Sequence, residues 1–158
     1  MVKASPKPPV ESAEISAHWR ELAEARCQEQ GERLTAARLA AYAELLAGQG
    51  AMSAYDLIAR LEDRQGRKIA PLTVYRHLDF LTRVGLVHRI ESTQSYLTCD
   101  HPQHAHESQY LLCTECGHVE EVHSNSLEKS LSKIADEHAF QPARTIVEIN
   151  GICASCTS

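Results

Sequence analysis

Pro71-Leu72-Thr73-Val74-Tyr75-Arg76-His77-Leu78-Asp79-Phe80-Leu81-Thr82-Arg83-Val84-Gly85-Leu86-Val87-His88-Arg89-Ile90-Glu91 decides how the first part of this chain folds. Pro71 suits the first turn of a helix, where a missing N–H is no loss. The spacing predicts a helix to about Val84, stopped by Gly85. Val74, Leu78 and Leu81 lie four and three apart, so they share one face and point into a core. Tyr75, Arg76, Asp79 and Arg83 take the opposite side. After Gly85 come two β-rich runs, Leu86–Glu91 and Tyr96–Cys99, around the polar turn Ser92-Thr93-Gln94-Ser95. That pattern is a β-hairpin.

Upstream, three more helices are expected. Ile15, Trp19, Leu22 and Ala23 recur at helical spacing, and Gly31 follows as a stop. Thr35 can cap a helix carrying Leu39, Tyr42, Leu45 and Leu46, ended by Gly48. Ser53 with Asp56 resembles a capping box ahead of Leu57, Ile58 and Leu61. Helices closed by a two-stranded wing describe a winged helix-turn-helix, whose fourth helix is placed to enter a DNA major groove. The bland alternative for Tyr75 and Arg76 is an ordinary solvated helix face.

The C-terminal third carries Cys113-Thr114-Glu115-Cys116 and Cys153-Ala154-Ser155-Cys156. Two CxxC pairs are the sequence form of a closed tetrahedral zinc site, each pair placing two thiolates on one ion. Disulfides are the competing explanation. The N-terminus has no apolar leader segment and no run approaches membrane-spanning length, so a cytoplasmic location is expected. In a reducing compartment clustered cysteines favour metal. Cys27 stands alone on a helix and is expected as buried filler. Strands at Tyr110–Leu112, Val119–Val122 and Thr145–Ile149, with a helix from Asn125, make this part a small α/β unit.

The formal net charge is −5. Residues 1–92 hold 13 basic and 12 acidic side chains, whereas residues 93–158 hold 3 and 9. A near-neutral unit thus precedes an acidic one, and nucleic-acid binding must rest on local geometry rather than bulk charge. Six of the nine histidines lie beyond residue 100. Scattered surface histidines are common. Clustered near a junction with Cys99, Glu120 and Glu121, they point to a second metal site.

Several of these stretches resemble the ferric uptake regulator family. Arg33-Leu34-Thr35-Ala36-Ala37-Arg38 is similar to its R-x-T-x-x-R opening. Ser53-Ala54-Tyr55-Asp56-Leu57 and Leu72–Leu81 resemble its DNA-binding helices, and Gly85–Glu91 its wing. The resemblance spans roughly residues 15–156 and is greatest to the zinc uptake regulator branch. It implies an α+β chain: a flexible tail at 1–14, a winged-helix DNA-binding domain at 15–91, a hinge at 92–100 and a zinc-stapled dimerisation domain at 101–158. It implies a homodimeric repressor of double-stranded operator DNA, with no membrane or small-molecule substrate as partner. Tyr55, Thr73, Tyr75, Arg76, Arg38 and Arg89 would contact DNA, the last two at phosphates. Cys113, Cys116, Cys153 and Cys156 would hold structural zinc. His88, Cys99, His106 and Glu121 would form a regulatory zinc site, with His101 and His104 as weaker ligands. Thr145 stands where many members keep a histidine, so a full third site is not expected.

Two imidazoles, a thiolate and a carboxylate suit tetrahedral zinc, whereas iron sensing favours nitrogen and oxygen ligands only. An iron- or other-metal-responsive regulator is the nearest alternative. A zinc enzyme is disfavoured: Cys₄ is closed, and no HxE…PCxxC or HExxH pattern is present. An interaction module without a DNA role is disfavoured by Tyr75-Arg76 beside a wing.

Overall fold

The computed structural model describes residues 15–48, 50–102 and 109–157. The chain divides into two compact units, Met1–His104 and Ala105–Ser158. The tail at 1–14 lies outside the described residues.

The first unit runs α1 (Ala17–Glu29), α2 (Ala36–Ala47), β1 (Met52–Ser53), α3 (Ala54–Gln65), α4 (Pro71–Arg83), β2 (Val87–Ile90) and β3 (Ser95–Thr98). Local chemistry sets the helix ends. The Thr35 hydroxyl accepts from the Arg38 N–H, and the Ser53 hydroxyl accepts from the Asp56 N–H at 3.1 Å. Ser53 also donates to the Asp56 carboxylate at 2.7 Å, reinforcing the cap. Gly66 and Gly85, at φ +62° and +77°, take left-handed geometry just after α3 and α4. A side chain strains that geometry, which is why glycine stands there.

The core is shared by all four helices and the wing. Val74, Leu78 and Leu81 of α4 are completely buried, together with Tyr42, Leu57, Leu86 and Val87. Cys27 is buried among them, as expected of a small apolar filler. Phe80, outside the expected apolar stripe, is buried in the core as well, and Arg38 of α2 lays its guanidinium over the ring at 3.5 Å.

The wing differs from a plain hairpin. Met52 and Ser53 add a third strand, giving sheet order β1-β3-β2. A two-residue strand leaves no periodic signal in sequence. Residues 95–98, expected within a hinge, form the central strand of this sheet, hydrogen-bonded on both edges and buried throughout.

The second unit contains β4 (Gln109–Cys113), β5 (Val119–Val122), α5 (Asn125–Glu137) and β6 (Val147–Gly151). β4 is central, antiparallel to β5 and parallel to β6. Two local expectations need correction. The cap of α5 is Ser124 rather than Asn125, its hydroxyl accepting from the Leu127 N–H. The last strand lies two residues later than expected, at 147–151, because pairing of Gly151 with Cys113 brings the second CxxC beside the first.

The α4 assignment makes a stability prediction. Leu78→Ala should destabilise the first unit by about 2–5 kcal/mol through lost burial and a residual cavity. Leu72→Ala, on a side chain 61% exposed, should change stability by less than about 0.5 kcal/mol. Denaturant titration of both variants checks this; equal losses would mean α4 is packed through the wrong face.

Candidate nucleic-acid interface and metal centres

The exposed side of α3 and α4 is unusual in its chemistry. Tyr55, in the first turn of α3, is 79% exposed, and Tyr75 on α4 is 47% exposed. Leu72, Thr73 and Arg76 are exposed on the first two turns of α4. Tyr55, Leu72 and Tyr75 thus leave apolar surface in water beside the Arg76 cation. Leu72, an apolar residue off the buried stripe, adds to this exposed surface.

The arginines divide by what they touch. Arg83 pairs with Glu32, Arg64 with Glu44, and Arg26 with Glu29. Arg89 reaches Glu91 at 3.3 Å and also bonds Gln94, folding the wing turn on itself. Arg38 stacks on Phe80 and donates to the Arg33 carbonyl at 2.6 Å. The two arginines expected at phosphates are therefore engaged within their own unit. Each guanidinium has five N–H donors, so these contacts do not exhaust them. Arg76 has no carboxylate partner among the described residues. Its charge is presented outward beside Tyr75.

In the second unit the four paired cysteines converge. Their sulfurs lie within 4.8 Å of one another, and Cys116 Sγ is 3.7 Å from Cys153 Sγ. All are free thiols, so the disulfide alternative is not realised. Zinc–thiolate bonds of about 2.3 Å put the sulfurs of a regular tetrahedron about 3.8 Å apart. The cluster thus has the dimensions of a zinc site.

Backbone geometry builds both turns. The Gly117 N–H donates to the Cys113 carbonyl at 3.0 Å, with Gly117 at φ +72°. The Cys156 N–H donates to the Cys153 carbonyl at 2.9 Å. Thr114 N–H to Gly151 O, at 2.8 Å, and Cys153 N–H to Cys113 Sγ, at 3.3 Å, lock one turn to the other.

Neighbouring amides and sulfurs set the thiol acidities. N–H groups of Cys116 and Cys153 aimed at Cys113 pull its thiol down to about 6. The sulfurs of Cys153 and Cys116 push Cys156 up to about 12. Four adjacent thiolates repel, and a cation among them removes the conflict.

The other expected metal ligands are distributed as follows. His88 on β2 and Cys99, just after β3, share one face of the wing and offer ligand atoms within 4.8 Å of each other. Cys99 is fully buried, and its N–H donates to the Leu86 carbonyl at 3.0 Å. Glu121 is on β5 of the second unit, opposite Tyr110. His101 is exposed. His104 and His106 lie outside the described residues.

Residues 29–150 match the Ferric uptake regulator family. The zinc uptake regulation protein of Escherichia coli (strain K12) is 37% identical over 135 residues, covering 85% of this chain and 78% of that protein. The zinc uptake regulation protein of Mycobacterium tuberculosis (strain ATCC 25618 / H37Rv) is 32% identical over 98 residues, 60% of this chain and 72% of that protein. Among solved structures, a zinc uptake regulator complexed with zinc and DNA superposes with a TM-score of 0.82 at 34% identity, covering 90% of this chain and 97% of that one. From the match over most of its length, and from relatives sharing a third of their residues, the chain belongs to the ferric uptake regulator family.

Proposed function

We propose that this chain is a zinc-responsive transcriptional repressor that binds double-stranded operator DNA and controls zinc uptake and homeostasis genes. It works in the cytoplasm as a homodimer and is a regulator, not an enzyme. The observation that carries the reading is the outward edge of α4, where Tyr75 and Arg76 stand exposed on a helix whose other face is completely buried. The solved relative that holds zinc and DNA supports it. Among the described residues, no helix is long and apolar enough to cross a membrane.

In this reading α4 enters the major groove. Arg76 can present two donors to a guanine, and Tyr75 can pack on a thymine methyl. Tyr55 and Thr73 reach the neighbouring backbone. Arg38 and Arg89 remain the candidates for phosphates and act without sequence preference.

Zinc, when bound, supplies four-coordinate bonds to thiolate, imidazole and carboxylate. Cys113, Cys116, Cys153 and Cys156 hold the ends of the second unit together. His88 and Cys99 from the first unit, with His106 and Glu121 from the second, are the proposed sensing set; His101 and His104 are weaker candidates. Ligands drawn from two units can be satisfied together in one arrangement, so their occupancy biases a two-state equilibrium.

Homodimerisation through the second unit is supported by its exposed apolar surface. No residue of α5 is fully buried. Ile134, Phe140 and Ile146 border a cleft of about 490 Å³ beside α5, and Leu111, Ile149 and Ile152 are also exposed. A second copy can cover these groups.

Three experiments test this reading. Arg76→Ala should weaken operator binding by about 1–3 kcal/mol and relax sequence preference, measured by fluorescence anisotropy on selected and scrambled duplexes. Unchanged selectivity would remove α4 from base reading. Cys113→Ser should lose one tightly held zinc and expose the second unit, seen as fast amide exchange in β4–β6 while α2–α4 stay protected. Retained protection with full zinc content would refute a structural role. Cys99→Ser should stay folded and keep the structural zinc, yet lose DNA binding that depends on buffered free zinc. Equal zinc stoichiometry and equal affinity would take Cys99 out of the site. Restoration of parental binding by iron(II) instead of zinc would favour the iron-responsive alternative.

A further inference from the structure

We propose that Arg26 and Gln30 of α1 are positioning residues for DNA reading: they clamp the C-terminal end of α4 and so set the angle at which its outward edge meets the groove. The inference rests on α4 being the reading helix. Neither residue belongs to the exposed edge that carries Tyr75 and Arg76.

The geometry converges on one atom. The Val84 carbonyl, at the C-cap of α4, accepts from Arg26 Nε at 3.0 Å and from Gln30 Nε2 at 3.1 Å. A carbonyl has two lone pairs, and here both are taken. The donors are four residues apart, so they project from one face of α1. The carbonyls of a helix end lack internal partners, and the negative end of the helix dipole attracts a guanidinium. The Arg26 side chain is only 19% exposed, which shields that attraction from solvent.

Two neighbouring features make the contact specific. A Cβ on Gly85 would meet Arg26 Nη2 at 3.3 Å, so the guanidinium lies close against a residue that has no side chain to displace it. Arg83 pairs with Glu32, whose own N–H donates to the Cys27 carbonyl at 2.8 Å, just beyond α1. Residues 26, 30 and 32 thus hold residues 83 and 84.

Arg76 lies eight residues before Val84, about 12 Å along the helix axis. A swing of the clamped end moves the reading end by a comparable amount. Paired hydrogen bonds to a base tolerate only a few tenths of an ångström. Phosphate contacts from mobile side chains tolerate far more, so loss of the clamp should erode selectivity rather than general DNA affinity.

The test uses the full-length zinc-loaded protein. One probe is a duplex that the parent selects from a random pool; the other is a scrambled duplex of equal length. The Arg26→Ala/Gln30→Ala double variant should bind the selected duplex about tenfold more weakly, the weight of one spoiled base contact. Its affinity for the scrambled duplex and its salt dependence should match the parent. Arg26→Lys, which keeps a cationic donor, should recover part of the loss. Arg20→Ala, an exposed α1 cation outside the clamp, should behave as the parent. If the double variant fails to fold, Gln30→Ala carries the test: its side chain is exposed, and about a threefold loss confined to the selected duplex is expected.

A folded variant with parental affinity for the selected duplex overturns the proposal. So does parallel weakening on both duplexes with a shallower salt slope, since that would make Arg26 a phosphate contact. Arg76→Ala measured alongside separates the two levels. If it too keeps selectivity, the reading of α4 fails and takes the clamp with it. If it loses selectivity while the clamp variants do not, the clamp alone is refuted.

Discussion

Burial of Val74, Leu78 and Leu81 is the interaction on which the first unit depends. Each is completely shielded from water, contributing on the order of 1.5–3 kcal/mol by apolar transfer. Because a helix turns every 3.6 residues, burying this stripe leaves no rotational freedom. Tyr75 and Arg76 are then presented outward. The stacking of Arg38 on Phe80 and the bonds from α1 to Val84 add restraint around the same helix. This rigidity fixes the direction of the exposed edge, and hydrogen bonds reward only aligned donors.

The second unit is organised on a different principle. Its described residues bury few side chains, chiefly Gln109, Tyr110, Leu112 and Cys113 on one strand. The helix among its described residues, α5, buries none fully. A unit of this size cannot enclose a large apolar core and commonly needs metal or a partner subunit. The four-sulfur cluster at one end of β4 and the exposed apolar groups around α5 match those two needs.

Charge is used locally rather than in bulk. The chain is acidic overall, yet in the first unit Arg26, Arg64, Lys68, Arg83 and Arg89 are each matched by a neighbouring carboxylate. Arg83 with Glu32, Arg64 with Glu44 and Lys68 with Glu62 join residues apart in sequence and restrain turns and helix ends. Glu44 is buried, but pairs exposed to solvent contribute little stability, and their value here is in orientation. Arg76, without a carboxylate partner among the described residues, keeps its full capacity for an external acceptor.

Local chemistry made much of this molecule legible from its residues. The apolar spacing of α4, the Thr35 and Ser53 caps, the hairpin and the duplicated CxxC each arise from neighbours in sequence, and each appears in the fold. Where competing local options were nearly equal, the boundary shifted, as at Ser124 and β6. What sequence could not supply were contacts between segments far apart. β1 exists only because β3 offers it an edge. Phe80 carries on its ring the guanidinium of Arg38, which belongs to a different helix. The sulfurs reach zinc-site spacing only because β6 pairs in parallel with β4. Residue types and short spacings determined which chemistry is available; tertiary packing decided which atoms meet, because those distances depend on chain paths that no local pattern encodes.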